Sequence, residues 1–425
     1  MFSQSEGDMT TSPQIFHGEW WVPEEVAHSD IYFPDGSNGV GKKFTGTLTY
    51  YGEGETVLEL YHVLSDFHSI LYHENEVMWG QDANGTIFSL FCVRKKDHNI
   101  LDFTSSKFSV ELILVGRHIL HKTDVCFDGC CAQFQYLRNW AFLNDAPNNH
   151  ILVEERMDDG VKWILQNRVI KRESPYESST SRKTEFVLEA SNGISIYEGL
   201  KQIKMFAHFL SVALYCEQAP SVIQFIDKKN NWLYTLLFEK GTETDPQNSK
   251  LIGFAELNGR VPSMLSIWRK NYETLSPISG YLITSLKKNR YFGAPDFLII
   301  AQALDGYFKR FFGKKIDERI RRYEKQIEIL LDRFKDVDVI KKCHIKPEVL
   351  KDSRHKYSHL LPDDVLRQAV SGEELYWLTE KSKILLVCCI LDLLGFSSEE
   401  INLCCNNSPI SELAENFDLE EQMMS

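Results

Sequence analysis

Apolar residues recur at every second position through much of the first 255 residues of this chain, and at every third or fourth position after that. A period of two places side chains alternately on the two faces of a strand, whereas a period near 3.6 lines one face of a helix. A chain that carries both in succession must build a sheet first and a helical assembly second. In "KKFTGTLTYYGEGETVLELYHVL", Phe44, Leu48 and Tyr50 alternate with Thr45, Thr47 and Thr49, the pattern breaks at Gly52 and Gly54, and it resumes at Val57, which is the signature of a hairpin. The bursts "TIFSLFCVRK", "FSVELILVGRHIL", "AQFQYLRNWAF", "VKWILQNRVI", "TEFVLEAS" and "SVIQFIDKKNNWLYTLLFEK" read as further strands, separated by Gly, Asn and Asp clusters. One helix interrupts them: "IYEGLKQIKMFAHFLSVALY" sets Leu200, Ile203, Phe206, Ala207, Leu210, Ala213 and Leu214 at helical intervals, and it is expected to pack across the sheet.

The period changes after the polar stretch "GTETDPQNSK" (241–250). "DFLIIAQALDGYFKRFF" puts Phe297, Ile300, Ala301, Leu304, Tyr307, Phe308 and Phe311 on one stripe, with Pro295 at its start. "IDERIRRYEKQIEILLDRF" is a second amphipathic helix with a basic outer face. A third begins near Pro347, and a fourth runs from about Glu373 to Leu394 and stops at Gly395. The last 29 residues hold seven acidic residues and no Lys or Arg, which suggests short helices grading into a mobile acidic tail. The fold class that follows is α+β: a β-rich antiparallel N-terminal domain over 1–255 and an all-α helical bundle over 256–425. Two domains also suit 425 residues, more than one core usually serves.

A formal charge of −13 argues against a protein that coats nucleic acid or an acidic membrane over its whole surface. The positive charge is local, because Asp305 to Lys356 carries 16 Lys and Arg against 10 Asp and Glu, a net of +6 that leaves −19 elsewhere. Ten cysteines include the adjacent pairs Cys130/Cys131, Cys388/Cys389 and Cys404/Cys405, which are poorly placed to bridge each other, so a reducing cytoplasm is expected. The opening "MFSQSEGDMTTSPQ" lacks the order of a signal peptide, and the longest apolar run, "ILLVCCILDLL", is too short to span a bilayer; no membrane partner is expected.

Within the basic region, "DSRHKYSHLLP" (352–362) sets Arg354, His355 and His359 within six positions. With 17 Arg and 13 His in 425 residues, an Arg followed five positions later by a His occurs by chance about half a time per chain, so the motif alone proves nothing. Three readings are open: a solvated helix face, a metal clip using Asp352, His355 and His359 at i, i+3 and i+7, or the working end of a nuclease. His118, His121, Cys126 and Cys130 offer a zinc-like set, but H-x2-H-x4-C-x3-C matches no common finger, and strand and turn positions explain it. "GSNGVGKK" lacks the full order of a phosphate loop. Cys388 and Cys389 lie in an apolar helix and are expected to pack there, as Trp20, Trp21 and Trp140 are expected to pack in the β core.

The surroundings favour the nuclease. A helical arrangement with an "ALD"-type acidic residue, Asp305, in an early helix, and R-polar-x3-H, here Arg354, His355 and His359, in a later one, resembles the HEPN superfamily of ribonucleases and RNA-binding domains. The stretches "FHGEWWVPE", "FTGTLTYYGEGETVLEL" and "QYLRNWAF" resemble the β-rich sensor domain of the ApeA family, HEPN proteins of bacterial anti-phage defence. Position 305 departs from the pattern, since many relatives carry Glu there. The resemblance implies a metal-independent endoribonuclease of abortive infection, without cofactor, which dimerises through the HEPN domain so that two motifs face one cleft. It also implies a phage-derived trigger and an RNA substrate, with transfer RNA as the first candidate.

Residue chemistry agrees. RNA brings its own nucleophile, the 2′-hydroxyl, so the enzyme need only move protons and stabilise a crowded phosphate. An imidazole titrating near neutral pH moves protons, and a guanidinium holds two phosphate oxygens. His359 is thus the expected acid or base, Arg354 the phosphate clamp, His355 a second imidazole, and Asp305 either an orienter of His359 or a partner for a buried arginine. On an ideal helix Arg354 and His359 lie about 140° apart, a difficulty that a cleft between two chains removes. Lys356 and the basic helix with Lys314, Lys315, Arg321 and Arg322 are expected to contact RNA phosphates, and Tyr357 to stack on a base or lie in the core. An acidic sensor or tail over the basic cleft would serve as a latch. The alternative from another class is a catalytically inactive HEPN module that binds RNA or protein, or serves assembly.

Overall fold

Strands begin where the alternation begins. The computed structural model describes residues 12–23, 43–61, 77–96, 105–141, 151–156, 160–173, 178–240, 250–254, 257, 259–287, 292–312, 322–362 and 365–424. Its strands are β1 (Gln14–Trp21), β2 (Phe44–Tyr50), β3 (Thr56–Tyr61), β4 (Val77–Asp82), β5 (Ile87–Phe91), β6 (Arg94–Lys95), β7 (Ser105–Val110), β8 (Leu112–Val115), β9 (Phe127–Gln133), β10 (Ile151–Arg156), β11 (Val161–Glu173), β12 (Ser178–Ile194), β13 (Val222–Asp227) and β14 (Trp232–Phe238). They form one sheet in the order β10-β11-β12-β9-β13-β14-β8-β5-β4-β1-β2-β3-β7-β6, with antiparallel neighbours. The β2–β3 hairpin turns through Gly52 and Gly54, both at positive φ, a conformation in which a side chain would be strained. "AQFQYLRNWAF" is the misread stretch: β9 ends at Gln133, and Leu137–Ala141 form a short helix, α1. Leu137, Trp140 and Ala141 are all buried, a helical rather than an alternating set. Most of the phosphate-loop-like "GSNGVGKK" lies outside the described residues.

The sheet serves two large cores and a small cluster of Cys131, Ile164 and Val187. Its β9 to β14 part is covered by α2 (Ile196–Leu214), whose N-cap Ser195 accepts a hydrogen bond from the Glu198 amide. Phe206 of α2 stacks on Phe186 of β12 at 4.1 Å between ring centroids. A second core, with Trp20, Leu48, Leu58, Met78 and Phe88, gathers β1 to β8 on the other face. β8 is the point of change: Leu114 belongs to the α2 side and Ile113 to the second core, as neighbours on a strand must.

The helices that follow are α3 (Val261–Ser285), α4 (Ala294–Tyr307) with a π turn over Phe308–Phe312, α5 (Tyr323–Arg333), α6 (Asp338–Cys343), α7 (Pro347–His359), α8 (Gly372–Leu393), α9 (Ser398–Asn406) and α10 (Pro409–Met424). Cys388 and Cys389 are fully buried in α8, which ends before Gly395 at φ 87°. All ten cysteines are free thiols. The short helices expected over 397–425 are α9 and α10; α10 runs to Met424 and buries Ile410, Ala414 and Phe417, with Phe417 edge-on to Trp377 at 5.8 Å. Removing 410–425 would therefore strip core side chains as well as charge. Among the described residues no helix is long and apolar enough to cross a membrane.

The change of period does not interrupt the core, which runs from the sheet through α2 and α3 into the helical bundle. Several bonds fasten α3 to the β part, among them Trp268 Nε1 donating to the Met205 carbonyl at 2.9 Å, Arg269 paired with Glu155 of β10 at 2.9 Å, and Tyr272 sharing a hydrogen bond with His208 of α2 at 3.2 Å. Burial, followed by the charge of Lys204, pushes the His208 imidazole down to about 4. An unfolded imidazole titrates near 6.5, so as pH falls from about 6.5 towards 4 the unfolded chain takes a proton that the folded chain refuses. The resulting stability is whole above that window and is lost across it, by up to about 3 kcal/mol. His208→Gln should flatten this acid limb in urea unfolding measured from pH 7 to pH 4; an unchanged limb would refute the assignment.

Candidate functional site

The 13-residue helix α7 owes its orientation to a buried stripe of Leu350, Ser353 and Lys356. Pro347 lies in its first turn, where no helical N–H is required, and Leu360 at φ 51° ends it in the left-handed conformation. The segment that follows is strapped back: Val370 N donates to Ser353 Oγ at 3.1 Å, and the Tyr357 hydroxyl donates to the Val370 carbonyl at 3.0 Å. The opposite face carries His355 and His359, both exposed, their ring centroids 4.7 Å apart. His359 is the last residue of the helix, next to Leu360, which is 88% exposed.

Arg354 turns towards α4. Its Nη2 donates to Asp305 Oδ2 at 2.9 Å, and the same oxygen accepts from Lys309 Nζ at 2.9 Å. The carboxylate is buried while Arg354 is partly open and Lys309 largely so. Two cations on one carboxylate leave a net positive site beside the imidazoles. The guanidinium also lies 4.5 Å from the centroid of the Tyr323 ring, whose hydroxyl donates to the Ala301 carbonyl at 3.1 Å. Burial pushes the Tyr323 phenol well up, against the opposing pull of Arg354. The π turn after Tyr307 carries Lys309 and Arg310, and Arg310 Nη1 donates to the Thr274 carbonyl of α3 at 2.6 Å. Asp305 therefore acts on the arginine, and its partners among the described residues are two cations rather than His359.

The expected RNA contacts fare unevenly. Lys356 is 6% exposed, with its ammonium 5.2 Å from the Tyr357 ring, because it belongs to the stripe that seats α7. Tyr357 spends its hydroxyl on Val370 and sets its ring edge-on to Phe297 at 6.2 Å. Lys356 faces inward, which corrects its assignment to an RNA surface, and Tyr357 takes the core position that was the other reading of it. Arg322, just before α5, is exposed, whereas Lys314, Lys315 and Arg321 lie outside the described residues.

Neither metal reading assembles. Among the described residues the only three acidic, His or Cys groups with converging ligand atoms are Glu324, Glu328 and Glu348, so Asp352, His355 and His359 do not close around a point. In the zinc-like set, His118 stacks on Trp79 at 4.6 Å, Cys126 Sγ donates to the Asp124 carbonyl, and Cys130 is buried in the core under α2. Two contributors escaped the sequence reading. Lys309 had a signal, since it follows Asp305 by four positions on a helix. Tyr323 had none, because only the packing of α5 against α7 brings it to Arg354.

A family model described as ApeA N-terminal domain 1 matches residues 15–250, and one described as Apea-like HEPN matches residues 298–400. No curated protein and no solved structure matches the chain.

Proposed function

The chain belongs to the ApeA family of HEPN proteins, and from that premise we propose that it is an anti-phage endoribonuclease that cuts host RNA, with transfer RNA as the first candidate, once its β-rich part meets a phage-derived trigger. The 2′-hydroxyl of the substrate attacks the adjacent phosphorus, the bond to the 5′-oxygen breaks, and the products are a 2′,3′-cyclic phosphate and a 5′-hydroxyl. One imidazole takes the 2′ proton and another returns a proton to the leaving oxygen, a transfer that needs no change of oxidation state. Arg354 holds the non-bridging oxygens and offsets the charge that develops on them.

The observation that carries this reading is the arrangement of one guanidinium, anchored at a single edge by Asp305, beside two exposed imidazoles on a net positive helix end. His355 and His359 share a face and Arg354 does not, which favours a cleft completed by a second copy. Leu360, next to His359, is exposed and supplies apolar surface for that contact. The test is digestion of total RNA by the purified protein with and without chelator, followed by mapping of ends. Fragments with 5′-hydroxyl and cyclic phosphate ends, unaffected by chelator, are the expected result. Binding without fragments would instead favour the inactive assembly module.

A further inference from the structure

We infer that Tyr323 is a positioning residue that sets the plane of the Arg354 guanidinium, an inference that rests on Arg354 being the phosphate clamp proposed above. Tyr323 opens α5 and is 7% exposed. Its ring centroid lies 4.5 Å from Arg354 Cζ, within the distance at which the negative face of an aromatic ring holds a cation. The ring is itself pinned, because its hydroxyl donates to the carbonyl of Ala301, one helical turn before Asp305 on α4. The ring and the carboxylate are thus referred to the same turn of the same helix.

They restrain different motions. Asp305 fixes the direction of one edge of the guanidinium through Nη2, at 2.9 Å, but leaves the group free to swing about that bond. The ring face removes the swing. Among the described residues no other side chain accepts a hydrogen bond from Arg354, so within them these two contacts define its orientation. A clamp whose charge must meet oxygens of a passing transition state depends on that orientation more than ground-state binding does, so the loss should fall on kcat rather than KM.

The test compares full-length wild type, Tyr323→Phe, which keeps the ring and loses the bond to Ala301, and Tyr323→Leu, which loses both. Tyr323→Met, with its more adaptable side chain, replaces the leucine variant if that one does not fold. Two readouts are taken: kcat and KM for RNA cleavage, and the rate at which phenylglyoxal modifies Arg354, followed by mass spectrometry of its peptide. Loss of the ring should raise Arg354 modification severalfold and lower kcat by about tenfold or more at nearly unchanged KM, while Tyr323→Phe stays within about threefold of wild type in both. Unchanged Arg354 reactivity in the ringless variant overturns the inference, as does a loss confined to KM or equal in the phenylalanine variant. If wild type cleaves no RNA, the ribonuclease reading falls, and the reactivity comparison still decides the positioning.

Discussion

His359→Ala should slow RNA cleavage by at least about a hundredfold with RNA affinity nearly unchanged, since a positioned general acid or base contributes about 10²–10⁴ in rate. The imidazole is exposed at the end of α7, so its removal should change stability by no more than about 0.5 kcal/mol. Arg354→Ala should cost about 10²–10³ in rate and weaken RNA binding as well, because it removes both the clamp and a phosphate contact. It carries a structural cost that His359→Ala does not: the buried Asp305 carboxylate keeps only the largely exposed Lys309, a loss of about 1–3 kcal/mol. Initial rates on RNA, affinity for a substrate with a 2′-deoxy group at the cut site, and growth of expressing cells separate these effects. His355→Ala in the same series shows which imidazole works. Wild-type rates from His359→Ala and His355→Ala alike would end the assignment of proton transfer to these two imidazoles.

Glu155→Ala should destabilise the junction between sheet and helices by about 3–5 kcal/mol, the usual cost of leaving one partner of a buried pair behind. The two side chains are only 5% and 4% exposed, and Arg269 also lies 4.6 Å from the Trp163 ring and donates to the Val161 carbonyl. Removing Glu155 strands that guanidinium between β10, β11 and α3. Removing both charges is a different matter, because an ion pair taken out of water gains little over a well-packed apolar pair. The double variant Glu155→Leu with Arg269→Met should therefore recover most of the loss, and urea unfolding of the two singles and the double measures the coupling. A single variant with a wild-type midpoint would show that the pair does not hold the junction. Because α3 also receives Arg310 from the π turn beside Lys309, loosening this pair should raise unstimulated cleavage if the junction restrains the site.

The chain's own pattern announced much of this. The glycines of the β2–β3 turn, the helical spacing of α2, the proline that opens α7 and the glycine after α8 each state a local rule that backbone sterics enforce wherever the segment lies. The short helix at Leu137–Ala141 was misread because five residues hold little more than one turn of either pattern. Lys356 was misplaced because a polar face on a basic helix looks alike to solvent and to neighbours.

The residue types needed for phosphate chemistry, and the elements that carry them, were thus determined by the sequence alone, since both follow from local sterics and spacing. Which groups meet was decided only by tertiary packing. Asp305 and Arg354 stand 49 positions apart, and Tyr323 arrives on a third helix; no local rule brings them to one point. That meeting follows from packing the buried faces of α4, α5 and α7 together, which depends on the whole core rather than on any one segment.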